Sequence, residues 1–197
     1  SAGSRENVKN DRKKRSISLA KCSTRCRKHG IKAGLYLSPW DRHEPTYGQG
    51  LYYNQYYLGQ LRELLTLYGP LSEIWFDGAC GEGPNGKKQE YDFAAYWSLV
   101  RQLQPGAVMF SDAGPDIRWV GNEHGFAGET FWSTIDDSRL VIGDSDPGYL
   151  NRGDPSGNRW IIGQCDVSIR PGWFYHPTER SRSGAASGTR NEPVMPK

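Results

Sequence analysis

Four cysteines in 197 residues are too few and too scattered to build a disulfide framework. Cys22 and Cys26 follow a Cys-x-x-x-Cys spacing with no second ligand pair to complete a zinc site. Free thiols are therefore expected at Cys22, Cys26, Cys80 and Cys165. The four histidines (His29, His43, His124, His176) show no metal-ligand spacing either. No run of 18 apolar residues is present to span a bilayer. The basic first residues carry no apolar stretch of the signal-peptide kind, and no Asn-x-Ser/Thr sequon occurs, so the sequence does not fix a compartment. Excess charge is also scarce. The net is +3, and nothing global points to nucleic acid. The basic residues gather in two end segments, Lys9 to Arg15 and Arg180 to Arg190, which read as solvated tails ahead of docking sites for phosphate or anionic lipid.

What the chain has is aromatic side chains, with seven Trp and eleven Tyr. That wealth suits a sugar-handling cleft, although most such rings belong to the core. From Cys26 the texture becomes periodic. Ala33 to Ser38 is a short apolar run between Gly30 and Pro39 and reads as a buried strand. After a polar loop, Asp41 to Gly50, the spacing of Leu58, Leu61, Leu65 and Tyr68 predicts an amphipathic helix stopped at Gly69-Pro70. The unit then repeats. Ile74-Trp75-Phe76 is a strand, Gly78 to Lys88 a glycine-rich loop, and Phe93, Tyr96, Trp97, Val100 and Leu103 a second helix face. Ala107 to Ser111 is a third strand. This order argues a parallel sheet built from βαβ units. Residues 134–158, rich in Gly, Asp and Ser, are expected to form a long loop. Trp160 to Val167 is expected to be a last strand, and from about residue 179 the hydrophobic pattern is lost.

Asp77 closes the run Glu73-Ile74-Trp75-Phe76 and precedes Gly78, which puts its carboxylate at the carboxyl edge of a strand, where parallel α/β folds build their sites. The competing reading is an ordinary Asp-Gly turn. Glu123 follows Trp119-Val120-Gly121-Asn122, and apolar surroundings from Trp119 and Phe126 would favour its protonated form. Its competing reading is a solvent-facing loop residue. Two carboxyls brought from strand ends into an aromatic cleft are what acetal hydrolysis needs, one ionised as nucleophile and one protonated as acid. Gly81 to Lys87 satisfies G-x-x-x-x-G-K between a strand and a helix. Lys88 stands where a Mg²⁺-binding hydroxyl belongs, however, and Pro84 removes a backbone donor, so a flexible loop is preferred to a phosphate cradle. Trp173 and Tyr175 read as a sugar platform or as core.

Four ordered blocks resemble the α-L-fucosidases of glycoside hydrolase family 29. They are Gly34-Leu35-Tyr36-Leu37-Ser38-Pro39-Trp40-Asp41-Arg42-His43, Glu73-Ile74-Trp75-Phe76-Asp77-Gly78-Ala79, Trp119-Val120-Gly121-Asn122-Glu123, and Cys165-Asp166-Val167-Ser168-Ile169-Arg170-Pro171-Gly172-Trp173-Phe174-Tyr175. The resemblance runs from about Cys26 to Pro177. It implies an incomplete (β/α)8 TIM-like barrel and retaining hydrolysis of terminal α-L-fucose, with no cofactor and no metal. Asp77 is then the nucleophile and Glu123 the acid/base, with Tyr36, Trp40, Arg118 and Trp173 as pocket-lining positions. The third block looks like the branch preferring α-1,3/1,4 linkages, and the implied partner is a fucosylated glycan, with no nucleic acid and no membrane insertion.

Three departures from the family pattern stand out. The strands and histidines expected ahead of Gly34 have no match, Gln164 stands where Glu is common before Cys165, and nothing after Pro177 fits. The expected division is therefore a basic, non-family or disordered segment over 1–25, a partial catalytic barrel over 26–178, and a disordered non-family tail over 179–197, the ends arising from altered coding sequence. A carbohydrate-binding remnant without chemistry is the alternative reading.

Overall fold

The computed structural model describes residues 18–168, 170, 173 and 176–178. The expectations for residues 1–17 and 179–197, and for Tyr175, lie outside them. Residues 18–28 are helical (α1), although no periodicity announced a helix there. The chain then alternates as anticipated: β1 (Gly34–Leu37), α2 (Leu51–Leu67), β2 (Glu73–Phe76), α3 (Phe93–Leu103), β3 (Val108–Ser111) and β4 (Ile117–Trp119). Helix α2 begins seven residues before Leu58, because the tyrosine doublets at its start blur the apolar spacing. Helix α3 starts where the Asp92 side chain accepts the Ala95 N–H, which satisfies one of the unpaired donors of its first turn.

Residues 134–158 are not a single loop. They hold β5 (Thr134–Ile135), a 3₁₀ turn (Asp137–Arg139) and a short helix α4 (Pro147–Arg152), followed by β6 (Arg159–Trp160). Each is too short to leave a periodic trace. Asp146 caps α4, and Pro147 occupies its first turn, where the missing N–H costs nothing. The single strand expected over Trp160–Val167 is split. Ile161 is buried in a second small core with Ile135, Tyr149 and Leu150. Arg159–Trp160 pairs antiparallel with β5, whereas β7 (Ile162–Gln164) joins the main sheet.

That sheet has five strands in the order β1-β2-β3-β4-β7, all parallel. Its α/β arrangement is that of an open arc of a (β/α)8 barrel. Period-two alternation sorts its side chains. Ile74, Phe76 and Met109 face α2 and α3 and form the main core with Tyr53, Tyr57, Leu61, Leu65, Tyr96 and Val100. On the opposite face Tyr36, Trp75 and Phe110 line up across the strands, with ring centroids 5.4 Å and 4.1 Å apart. The buried phenols of α2 tie it to the end of β1. Tyr57 donates to the Leu37 carbonyl at 2.8 Å and Tyr53 to that of Pro39 at 2.5 Å, so neither hydroxyl is left unpaired. The strand ends are thereby held in place against the helix layer.

Candidate active site

The carboxyl ends of the strands surround a cavity of about 320 Å³ whose walls include Asp77, Asp112, Glu123 and Asp166, with Trp75, Phe110 and Trp119 between them. Its size falls in the range of small-molecule sites. Asp77 stands two residues past Trp75 and so shares its face. Its Oδ2 accepts the Tyr36 hydroxyl at 2.7 Å and its Oδ1 the Ala79 N–H at 2.8 Å. These two donors fix the orientation of the carboxylate. Burial, followed by this hydrogen bond, pushes the Tyr36 phenol up to about 12, so it stays a donor. A methyl group at Gly78 would crowd Asp112 Oδ1 and the Gly143 nitrogen, and glycine here lets both approach behind Asp77.

Glu123 reaches the same cavity by a sharp turn. Gly121 has φ +81°, and a Cβ there would overlap the Pro147 carbonyl, so glycine serves both the conformation and the close approach. Asn122 fixes the path of the next four residues. Its Oδ1 accepts the His124 N–H at 2.9 Å, and its Nδ2 donates to the Phe126 carbonyl at 3.1 Å. An isolated antiparallel bridge between His124 and Val167 then sets this loop beside the residues after β7. From there Trp173 Nε1 donates to Glu123 Oε2 at 2.8 Å.

The structure thus brings Asp77, Glu123, Tyr36 and Trp173 together. Trp40 is placed differently. Its Nε1 donates to the Glu82 carbonyl at 3.1 Å, and its ring packs on Gly81, so it props the loop that follows Asp77. Arg118 is not at the cavity. It is fully buried, bonded to the carbonyls of Leu150 and Trp132 and set over the Phe131 ring. The alternation that turns Trp119 toward the cavity turns its neighbour away, which corrects the expectation that Arg118 lines the pocket. Burial pulls its guanidinium down to about 10, and it remains charged at neutral pH.

The Gly81–Lys87 loop spends its backbone donors on itself. Gly83 N–H bonds the Lys87 carbonyl at 2.9 Å, and Gly86 N–H that of Gly83 at 3.0 Å. That leaves a closed turn in place of a phosphate cradle. All four cysteines are free thiols. No group of three or more His, Cys, Asp or Glu fit to hold a metal occurs among the described residues.

Two wall residues were missed in the sequence. Asp112 follows β3 as Asp77 follows β2. It is largely buried, with Oδ2 accepting the Gly143 N–H at 2.8 Å and Oδ1 unpartnered, and burial raises its pKa. Asp166 stands two residues past β7 and accepts Trp119 Nε1 at 2.9 Å. Its pKa is also raised, first by burial and then by the charges of Glu123 and Asp77. The strand-end rule that singled out Asp77 points to both.

A parallel α/β sheet with carboxyls gathered at its carboxyl edge defines a barrel-type enzyme site. The family described as alpha-L-fucosidase matches residues 4–138. The Arabidopsis thaliana protein named Alpha-L-fucosidase 1 is 53% identical over 161 residues, which is 82% of this chain and 31% of that protein. The crystal structure of SpGH29 superposes with a TM-score of 0.78 at 40% identity, covering 87% of this chain and 39% of that one. A Ruminococcus gnavus GH29 fucosidase in complex with fucose gives 0.71 at 29% identity, over 87% of this chain and 39% of its own. The chain belongs to the alpha-L-fucosidase family, glycoside hydrolase family 29. It spans about a third of the length of the curated relatives it matches. The match begins at residue 4, so the segment before Cys26, expected to be foreign, lies largely inside it, and helix α1 with it.

Proposed function

We propose that this chain carries the reacting carboxyls of a retaining α-L-fucoside hydrolase, with Asp77 as nucleophile and Glu123 as acid/base. The observation that carries this reading is that both residues, from different strand ends, wall one cavity, each already oriented by a hydrogen-bond donor. In the first step an Asp77 oxygen bonds to the anomeric carbon while the bond to the aglycone oxygen breaks. That oxygen keeps the bonding pair and takes the proton of Glu123. In the second step Glu123, now ionised, takes a proton from water. The water oxygen displaces Asp77, restoring both groups. Tyr36 and Ala79 hold the attacking carboxylate, and Trp75 and Phe110 offer an apolar wall to the sugar. The substrate is a terminal α-linked fucose on an oligosaccharide or glycoconjugate. The Trp119-Val120-Gly121-Asn122-Glu123 block supports α-1,3/1,4 linkages.

Asp77→Asn is expected to abolish turnover of an aryl α-L-fucoside. Glu123→Gln should slow natural oligosaccharides far more than substrates with good leaving groups, which need little protonation. Oligosaccharide cleavage left intact in Glu123→Gln places the acid elsewhere. The first-formed sugar, followed by proton NMR, should retain the α configuration. A binding-only role is the second reading. Fucose binding by calorimetry without product release supports it.

A further inference from the structure

The cavity walls carry four carboxyls, two more than a two-carboxylate reaction uses, and Asp166 is the one tied to the segment beside Glu123. We propose that Asp166 is an electrostatic positioning residue of this site, a third carboxyl whose charge sets the pH range over which Glu123 serves as acid. The inference rests on Asp77 being the nucleophile and Glu123 the acid/base.

Its geometry is specific. Asp166 follows β7, on the same sheet face as Trp119 and Asp77, and Trp119 Nε1 holds one of its oxygens at 2.9 Å. The His124–Val167 bridge ties the backbone next to Asp166 to the backbone next to Glu123. Every titratable residue among the described ones that wall the cavity is an acid: Asp77 from β2, Asp112 from β3, Glu123 from the β4 loop and Asp166 itself. Cys165, adjacent in the chain, has a thiol raised by burial and by Asp166. The Tyr36 hydroxyl is engaged with Asp77, and His124 stacks on Phe126 with centroids 5.9 Å apart. No lysine or arginine among the described wall residues offsets these charges.

Like charges in one site cannot all ionise freely, and the cluster keeps a proton to higher pH than isolated carboxyls would. Asp77 accepts two hydrogen bonds, from Tyr36 and from the Ala79 N–H. Asp166 is part-buried and feels both Asp77 and Glu123, so its charge state is tied to theirs. When Asp77 is consumed in the glycosyl-enzyme its charge vanishes. The cluster then releases its proton more readily, as the second step requires of Glu123. A purely structural Asp166 would need only its bond to Trp119, which an amide oxygen also accepts.

Asp166→Asn keeps that acceptor and removes the charge. With a fucosylated oligosaccharide, whose leaving oxygen needs the proton, and the full chain, the alkaline limb of the kcat/KM profile should move to lower pH by about one unit, a tenfold change in proton affinity. An unmoved limb with a uniform loss at all pH values overturns the proposal. Carbon-13 carboxyl NMR titration of the same chain needs no turnover. The Asp166 midpoint should fall in both Asp77→Asn and Glu123→Gln, and a midpoint indifferent to both overturns the coupling. Unchanged turnover in Asp77→Asn sinks the assignment of Asp77 as nucleophile instead, and the titration still decides whether the carboxyls are coupled.

Discussion

Trp173 donates its indole N–H to Glu123 at 2.8 Å across a sequence separation of 50 residues. The acid/base candidate is thus aimed by a segment beyond the last strand of the sheet. Trp173→Phe keeps the ring and deletes the donor. A hydrogen bond to an ionisable group contributes about 1.5–3 kcal/mol. Cleavage of oligosaccharides, whose leaving oxygen needs the proton, should therefore fall at least about tenfold. An aryl fucoside should be affected less in its first step. Equal losses on both substrates, measured as kcat/KM, would show that Trp173 only binds the sugar.

Tyr36 is the corresponding support of Asp77, and the side chain is about half exposed, at 54%. Its phenol is pushed up to about 12, so it remains protonated and donating well above neutral pH. Tyr36→Phe should lower kcat/KM for an aryl fucoside by about tenfold. It should move the unfolding midpoint by less than about 2 °C, because little packing is lost. A large drop in stability with unchanged turnover would reverse that assignment. Ultraviolet titration of the phenols checks the raised value directly.

The sheet and its two long helices were legible because each element carried its own period and punctuation. Leu61 and Leu65 marked α2, Gly69-Pro70 ended it, and Ile74-Trp75-Phe76 could be nothing longer than a strand. Asp77 was legible for the same reason, as an acid at a strand end. The region of β5, α4 and β6 was not. Strands of two residues and a helix of six span less than the window over which a period shows, and what fixes them is the long-range burial of Ile135, Tyr149 and Ile161. Arg118 misled because its place among the pocket-lining positions came from the family resemblance and not from the alternation of its own strand. Only the register of β4 against β3 and β7 shows that it faces inward to the second core. Asp112 and Asp166 also stand just past strand ends, and only the folded sheet brings them to one cavity with Asp77 and Glu123.

Asp112 gives the pH test of the fold. Burial raises its pKa above the ordinary aspartate value, so its stabilising contribution is present at acid pH and is lost as pH rises through the folded-state value. At neutral pH the ionised group is a burden. Asp112→Asn retains an oxygen for the Gly143 N–H and should unfold at higher temperature than the parent at pH 7. The difference should shrink as pH falls and vanish below about pH 4, where the aspartate is protonated in both states. Thermal melts across that range measure it, and a difference that widens toward acid pH contradicts the sign.

Arg118 gives the packing test. Its guanidinium is fully buried, binds the Leu150 and Trp132 carbonyls and sits 4.5 Å from the Phe131 ring centroid. It joins β4 to α4 and to the Phe131–Trp132 segment. Arg118→Ala orphans two buried acceptors and opens a cavity, at a cost on the order of 3 kcal/mol or more. For a chain of this size that lowers the midpoint by roughly 6–12 °C. Arg118→Lys should recover only part of this, because one ammonium cannot reproduce a planar fork that reaches two carbonyls and stacks on an aromatic face. If Arg118→Ala instead melted with the parent and raised KM for fucosides, the side chain would belong to the sugar site after all.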